Sequence, residues 1–374
     1  MEEGYPQTFR EGVHHAAEHW LSFVQQHRAD TSAVMEKRGH ILRLLAWCFD
    51  QPGASDVAAA LIRALHHHML RAAPWSLWEI YLRAALETCR AGQNRRGEVD
   101  ILHHYGEFLL RTGRLEEALA VARDAQALLA GLDDARRSCV NHAVFVGIYL
   151  NVGRYELASC HAQAGADLAR AAEDDVLLAD ALIGLGRAQL EQGEPEAALE
   201  PLRQALELTR RADSLVFEAK AAVFLGHAYA ALEQWPDAAE MHQLAHSLTH
   251  RFGDRAGIGV TLKNLGLALV MAGQVEEGGN ILQESIVISL ELGNWPTLLV
   301  ALCYLSEAYR RLERDVEAEN AARQARKLVK EHGLEEMLHG LGMEGGKHAV
   351  ELIRKVAWPR HQATLQHLAI PPEG

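Results

Sequence analysis

The side chains that could do chemistry in this chain are mostly histidines. There are 21 of them, and several are clustered. His15 and His19 stand one helical turn apart with Glu18 beside them. His66, His67 and His68 are consecutive, as are His103 and His104. A zinc site needs two such ligands on one face and a third from elsewhere, whereas consecutive histidines on a helix point around it. The sequence contains no HExxH. Gly345-Gly346-Lys347 looks like the end of a phosphate-binding loop, but Leu341 stands where the first glycine belongs and His348 where a Ser or Thr should hold magnesium. No GxSxG nucleophile elbow occurs. The five cysteines lie far apart with no CxxC pair, which suits reduced, structural thiols. The residues therefore predict no metal, no cofactor and no catalytic group.

The composition narrows the partners. The net charge is −13 and no Lys/Arg-rich run is present, so the electrostatic footprint of a nucleic-acid binder is missing. No apolar run approaches the roughly 18 residues of a membrane span, and the opening MEEGYPQTFREGVHH is no signal peptide. These features predict a cytoplasmic protein that binds neither nucleic acid nor membrane.

One periodicity dominates the chain. A residue closing a local signature recurs every forty residues at Gly106, Val146, Gly186, Gly226, Gly266 and Ser306. Each follows a large apolar residue: Tyr105, Phe145, Leu185, Leu225, Leu265 or Leu305. Twelve residues later come Ala118, Ala158, Ala198, Ala238, Gly278 and Ala318. Between these markers the apolar residues step by three and four, as in Ala222, Leu225, Tyr229 and Leu232, which is one face of a helix. Gly113, Gly153, Gly193 and Gly273 mark turns, and Pro195 and Pro236 open second helices. Six helical hairpins over residues 99–330 follow, each burying its apolar face against its neighbours. Pro201 is expected to bend its helix, and Gly278-Gly279 to loosen theirs.

This pattern resembles the tetratricopeptide repeat, most clearly at Leu225-Gly226-x2-Tyr229…Ala238 and Leu265-Gly266…Gly278. The common repeat has about 34 residues, so longer helices and a longer loop between repeats are expected to take up the difference. The resemblance implies an all-α, right-handed superhelix whose first helices line a concave groove. Its exposed positions would carry Ile183, Arg187, Val223, His227, Lys263, Asn264, Leu267, Val270, Glu307 and Arg310 as the ligand-binding set. Polar residues between apolar ones suit an extended or helical peptide. The Lys, Asn and Arg positions by which some relatives grip a chaperone tail hold Ala143, Gly147, Gly184, Lys220 and Phe224 here, and only Lys220 fits.

Residues 1–98 read as helical but off the repeat pattern, with hairpins near 8–27/33–48 and 55–71/75–90, the second a degenerate repeat in which Leu65-His66 stands one period before Tyr105-Gly106 and Trp78 takes the place of the small residue. They carry four of the seven tryptophans: Trp20, Trp47, Trp75 and Trp78. Glu36-x3-His40-Ile41-Leu42-x2-Leu45-x-Trp47 and the stretch Trp75 to Leu86 resemble the segment that joins ATPase core to sensor array in bacterial STAND-type regulators. Residues 331–374 read as a helical cap and tail. Together these features predict a non-catalytic scaffold that recognises a protein or peptide as the sensor or adaptor of a bacterial signalling system. The alternatives are a small-molecule-sensing array of a STAND-type regulator and an enzyme with an unrecognised site.

Overall fold

In a computed structural model, the protein is described over residues 7–334, apart from 29, 52–53 and 73–74. The expected cap and the Gly345-Gly346-Lys347 turn lie outside the described residues. Among the described residues there are sixteen α-helices and no strand. They fall into two compact units, one ending at Ile148 and one beginning at Tyr149, so the division lies within α7 (Ala135–Asn151).

The first unit holds α1 (Gln7–Gln26), α2 (Thr31–Phe49), α3 (Ser55–Ala72), α4 (Trp75–Ala91), α5 (Arg95–Arg111) and α6 (Leu115–Leu129). The off-pattern hairpins are thus α1/α2 and α3/α4. Both α3 and α4 pack on α5, so packing continues across residue 98 where the repeat register begins. The tryptophans have diverse settings. Trp78 is fully buried, Trp20 stacks on His40, and Trp47 and Trp75 are exposed.

The second unit holds α8 (Tyr155–Ala171), α9 (Asp175–Gln192), α10 (Pro195–Arg211), α11 (Leu215–Ala231), α12 (Trp235–Arg251), α13 (Arg255–Met271), α14 (Val275–Leu292), α15 (Trp295–Arg311) and α16 (Asp315–His332). Each helix packs on the next in sequence. First helices also touch their counterparts one repeat on, α9 against α11 and α13 against α15.

The forty-residue period proves to be two equal steps. Left-handed residues fall every twenty positions in this unit: Gly153, Glu173, Gly193, Asp213, Glu233, Gly253, Gly273, Gly293, Glu313 and Gly333. The loop between repeats is therefore no longer than the turn within one, contrary to expectation. The extra length lies in the helices, typically 17 residues each. Each turn closes on itself, as where the Glu194 amide donates to the Gln189 carbonyl at 2.9 Å.

The small residues follow from how closely the helices approach. A Cβ on Gly186 would lie 2.5 Å from Leu202 Cγ, and one on Gly266 would lie 2.7 Å from Leu282 Cγ. The first helix thus leaves a hole that a side chain sixteen residues on fills, a knob entering a groove. A Cβ on Gly278 would meet the Gly266 carbonyl at 2.7 Å and the Val270 amide at 2.8 Å. Gly278 therefore permits a backbone crossing of α13 and α14 and does not merely loosen a helix. Pro201 is buried, and α10 continues through it.

Candidate functional site

Two half-buried carboxylates of the first unit, Asp100 and Glu79, each gather several donors. Asp100 accepts from Arg63 Nη1 at 2.9 Å and from Arg137 Nε at 2.8 Å and Nη2 at 2.9 Å. Glu79 accepts from Arg83 (2.8 Å), Arg114 (2.8 Å) and the Tyr105 hydroxyl (3.0 Å), tying α4 to α5 and to the turn after it.

The same unit brings His66, His104 and Glu107 together, with a ligand atom from each within 4.8 Å of the others. Two of these belong to the histidine clusters seen in the sequence. The Trp78 indole N–H donates to His66 Nδ1 at 3.1 Å. A neutral His66 ring therefore carries its proton on Nε2, which faces Glu107 Oε2 at 3.3 Å. A metal ion at Nε2 would have to displace that proton. Burial pushes the Glu107 carboxyl up, but the nearby His66 ring and the Arg111 guanidinium outweigh it and hold the group below the usual carboxylate range. Burial, with His66 adding to it, pulls His104 well below the ordinary histidine value. These groups fit a ring and a carboxylate in close contact, with a neutral ring against them, better than they fit a metal centre.

The second unit is built differently. Its first helices α9, α11 and α13 bring together Arg187, His227, Lys263 and Asn264. Asn264 Nδ2 donates to His227 Nε2 at 3.1 Å, which places the His227 proton on Nδ1. The Phe224 ring sits 5.8 Å from the Arg187 guanidinium carbon and meets His227 edge-on at 5.9 Å. His242, on α12, lies 5.3 Å from His227 between ring centres.

His242 breaks the repeat rule. It fills the Gly226 hole, where a Cβ would come within 2.6 Å of its ring, and Leu202 and Leu282 fill the equivalent holes. A buried polar side chain thus replaces leucine in this one hairpin of the three, and its Nδ1 has no hydrogen-bond partner among the described residues.

Burial governs the electrostatics of this cluster. It pulls the Lys263 ammonium down to about 8. It also lowers Arg187, against a smaller opposing effect of Glu191. Burial, with His242, Lys263 and Arg187 nearby, holds His227 well below its ordinary value, and His242 is brought down to about 3. Both histidines are neutral at pH 7. Among the described residues, Arg187 and Lys263 form no ion pair or hydrogen bond, and Arg187 Nε is buried without a partner. Lys220, by contrast, lies 3.5 Å from Asp180.

The predicted site residues therefore divide. Arg187, His227, Lys263 and Asn264 are brought together, but Asn264 is buried and Arg187 half-buried, where exposure was expected. Neighbouring first helices cover them. Ile183 is buried and Val223 half-buried. Val270 is a correction: it packs on Gly278 inside its own hairpin and cannot floor a groove. Leu267 is likewise core, in a cluster with Leu282, Leu298 and Leu305. Glu307 and Arg310 pair with each other at 3.6 Å, and Glu307 also accepts from Arg311 at 3.0 Å. Sequence reasoning passed over His242, whose signal was available in the register shared with Leu202 and Leu282.

Known proteins share this architecture. Residues 137–211 match the tetratricopeptide repeat family. Among solved structures, a Rap protein complexed with Competence and Sporulation Factor superposes with a TM-score of 0.57 at 13% identity, covering 86% of this chain and 98% of that one. A STAND signal-transduction ATPase with a tetratricopeptide repeat sensor, from Pyrococcus horikoshii, gives 0.59 at 12% identity over 86% of this chain and 49% of that one. Aspartyl phosphate phosphatase F from Bacillus subtilis gives 0.56 at 14% identity, over 88% and 96%. No curated protein matches the sequence. At such identities the likeness is one of fold. With the matched repeats and the helical hairpins described above, it shows an all-α solenoid fold like that of tetratricopeptide repeat proteins.

Proposed function

We propose that this protein is a non-catalytic recognition scaffold, the sensor or adaptor of a bacterial signalling system, and that a protein or peptide binds along α9, α11 and α13. The observation that carries this reading is the pair of half-buried cations, Arg187 and Lys263, which flank His227 on that face without an ion pair or hydrogen bond among the described residues. A fold that pairs its charges elsewhere gains nothing in stability from leaving these two half-buried and alone. The solenoids it resembles include a Rap protein held with Competence and Sporulation Factor and a STAND sensor, which supports a signalling role. The likeness to a phosphatase is of fold, and the face described here holds cations and amides without a nucleophile beside a base. No described helix is long and apolar enough to cross a membrane.

The test is selection from a displayed random-peptide library on the full chain. Replacing Arg187 and Asn264 together by Ala should weaken the selected peptides by roughly tenfold or more, because truncation leaves desolvated partner groups unpaired. Circular dichroism checks the fold. If the double variant binds as wild type does while changes at Trp20 or Trp47 abolish binding, recognition lies on the first unit.

A further inference from the structure

One second helix carries a surface that its counterparts lack. Near the C-terminal end of each second helix of this unit, two positions face outward. They hold Asp167 and Arg170 in α8 and Glu207 and Arg210 in α10. They hold Ser247 and His250 in α12 and Lys327 and Lys330 in α16. In α14 the same register holds Val287 and Leu290, exposed at 54% and 52%, and Leu292 follows at 44%. A single exposed apolar residue is ordinary, but a ridge of them on one helix, where every counterpart is polar, marks a contact surface. The exposed Glu284 and Glu291 flank the ridge, and α14 contains no Lys or Arg.

The chain itself supplies a match. The described residues end at Leu334, whose amide donates to the Val329 carbonyl at 3.1 Å. His332 stacks on Trp295 at 4.0 Å between ring centres, and the Trp295 amide donates to the Gly293 carbonyl at 3.0 Å. The chain therefore leaves beside Gly293, the residue that closes α14. Val287 lies back from that end by about 9 Å along the helix axis. Further on in the sequence, Ala349, Leu352, Ile353 and Val356 recur at helical spacing, and Pro359 follows. On a helix they form one apolar face, bordered by Lys347, Arg354 and Lys355 with Glu351 as the one acid. An apolar ridge with an acidic rim and an apolar face with a basic rim are complementary. Residues 335–346, fully extended, span about 40 Å, so the tether reaches the ridge. Two α14 ridges from separate copies would set carboxylates against carboxylates, and an anionic membrane would meet the same repulsion.

We propose that residues 347–358 dock on α14 as an amphipathic helix, laying Leu352, Ile353 and Val356 on Val287 and Leu290 and setting their cations beside Glu284 and Glu291. The contact goes beyond the recognition reading and is independent of it, because the proposed binding face lies on α9, α11 and α13. It also differs from the cap expected from the sequence, since the chain here turns back one hairpin. Tethering makes the contact intramolecular, so a small ridge suffices where a free partner would need a larger one.

The test is amide hydrogen exchange on the full chain. Val287→Glu with Leu290→Arg gives α14 the pair that α10 carries, and circular dichroism checks that the fold is kept. In wild type the amides of 347–358 should exchange at least tenfold more slowly than in the isolated peptide. The double variant should lose that protection. Lys355→Glu should reduce it, and Lys355→Arg should not. If the segment is unprotected in wild type, or equally protected in the double variant, the proposal falls. Should the double variant unfold, thiol labelling decides. Leu290→Cys should react with a maleimide at least tenfold faster once Leu352→Glu and Val356→Glu are added, with the exposed Cys160 as internal standard. An unchanged rate overturns the proposal. Loss of a dimer in the double variant, by sedimentation velocity, would assign the ridge to a second copy. Capture of wild type and not of the double variant by phosphatidylserine vesicles would assign it to lipid. Either result also overturns the proposal.

Discussion

The two units use the same hairpins and both pair most of their charges, but they differ in how they treat particular half-buried ones. In the first, Asp100 serves two arginines and Glu79 serves two arginines and a tyrosine, so half-buried charges find partners across helices. In the second, Arg187 and Lys263 sit among neutral rings and an amide, and burial penalises both. Folding stability alone explains the first arrangement. It does not explain the second, because an unpaired charge taken out of water costs several kcal/mol unless a partner arrives. The difference separates a structural network from a surface that is complete only when something binds.

The contrast is meaningful only if packing obeys one rule in both units. Ala118 in the first and Ala198 in the second are fully buried at the same repeat position. Replacing either with Leu should destabilise by about 1–3 kcal/mol or more through overpacking. Similar losses in urea melts would confine the difference between the units to charge. Tolerance of one substitution and not the other would show that the packing differs as well.

Breaking a charge in each unit should give effects of opposite sign. Asp100→Asn removes the negative charge and one of the two acceptor oxygens that serve Arg63 and Arg137, and should cost about 2 kcal/mol, more than an exposed pair and less than a fully buried one. Lys263→Met should instead stabilise the fold, by about 1–3 kcal/mol, since burial brings that ammonium down to about 8 from 10.5. The folded state then binds fewer protons there than the unfolded chain does. In wild type this group makes stability rise as pH climbs from about 8 to 10.5, and the variant should lose that rise. Burial alone causes that shift, and the titratable groups that feel the Lys263 charge are His227 on α11 and His242 on α12. Loss of stability in Lys263→Met at pH 7 would mean that the ammonium has a partner and that the second unit is wired like the first.

Much of this architecture can be read from the sequence, for a simple reason. A helix crossing tolerates only a small side chain, so Gly186, Gly226, Gly266 and the buried alanines print the packing directly into the chain. The twenty-residue step is harder to see, because Glu173, Asp213, Glu233 and Glu313 take the left-handed conformation that glycine signals elsewhere. The binding face is only half legible. Hydrophobic periodicity separates one covered face from one open face, whereas α11 packs on α9, α10 and α12 together. Positions such as Asn264 and Val270 therefore look open in a single-helix projection and are covered by neighbours that the projection omits.

The smallest expected effect is at His242. If this histidine belongs to the fold, its loss should cost as much as any buried polar deletion. If it belongs to the binding face, the slot itself prefers the leucine found at Leu202 and Leu282. Its Nδ1 has no partner, so His242→Leu removes an unsatisfied atom and fills the Gly226 hole with a side chain of similar bulk. Stability at pH 7 should stay within about 1 kcal/mol of wild type or rise slightly. The advantage should grow in acid. Burial holds the folded-state value at about 3, against 6.5 for the unfolded chain, so wild type loses stability as pH falls below 6.5 while the variant escapes this contribution. At pH 5 the difference should reach about 2 kcal/mol in favour of leucine. Urea midpoints at the two pH values measure it. A loss above about 2 kcal/mol at pH 7 would show His242 making a bond the hairpin needs, and the polar slot would then be part of the scaffold.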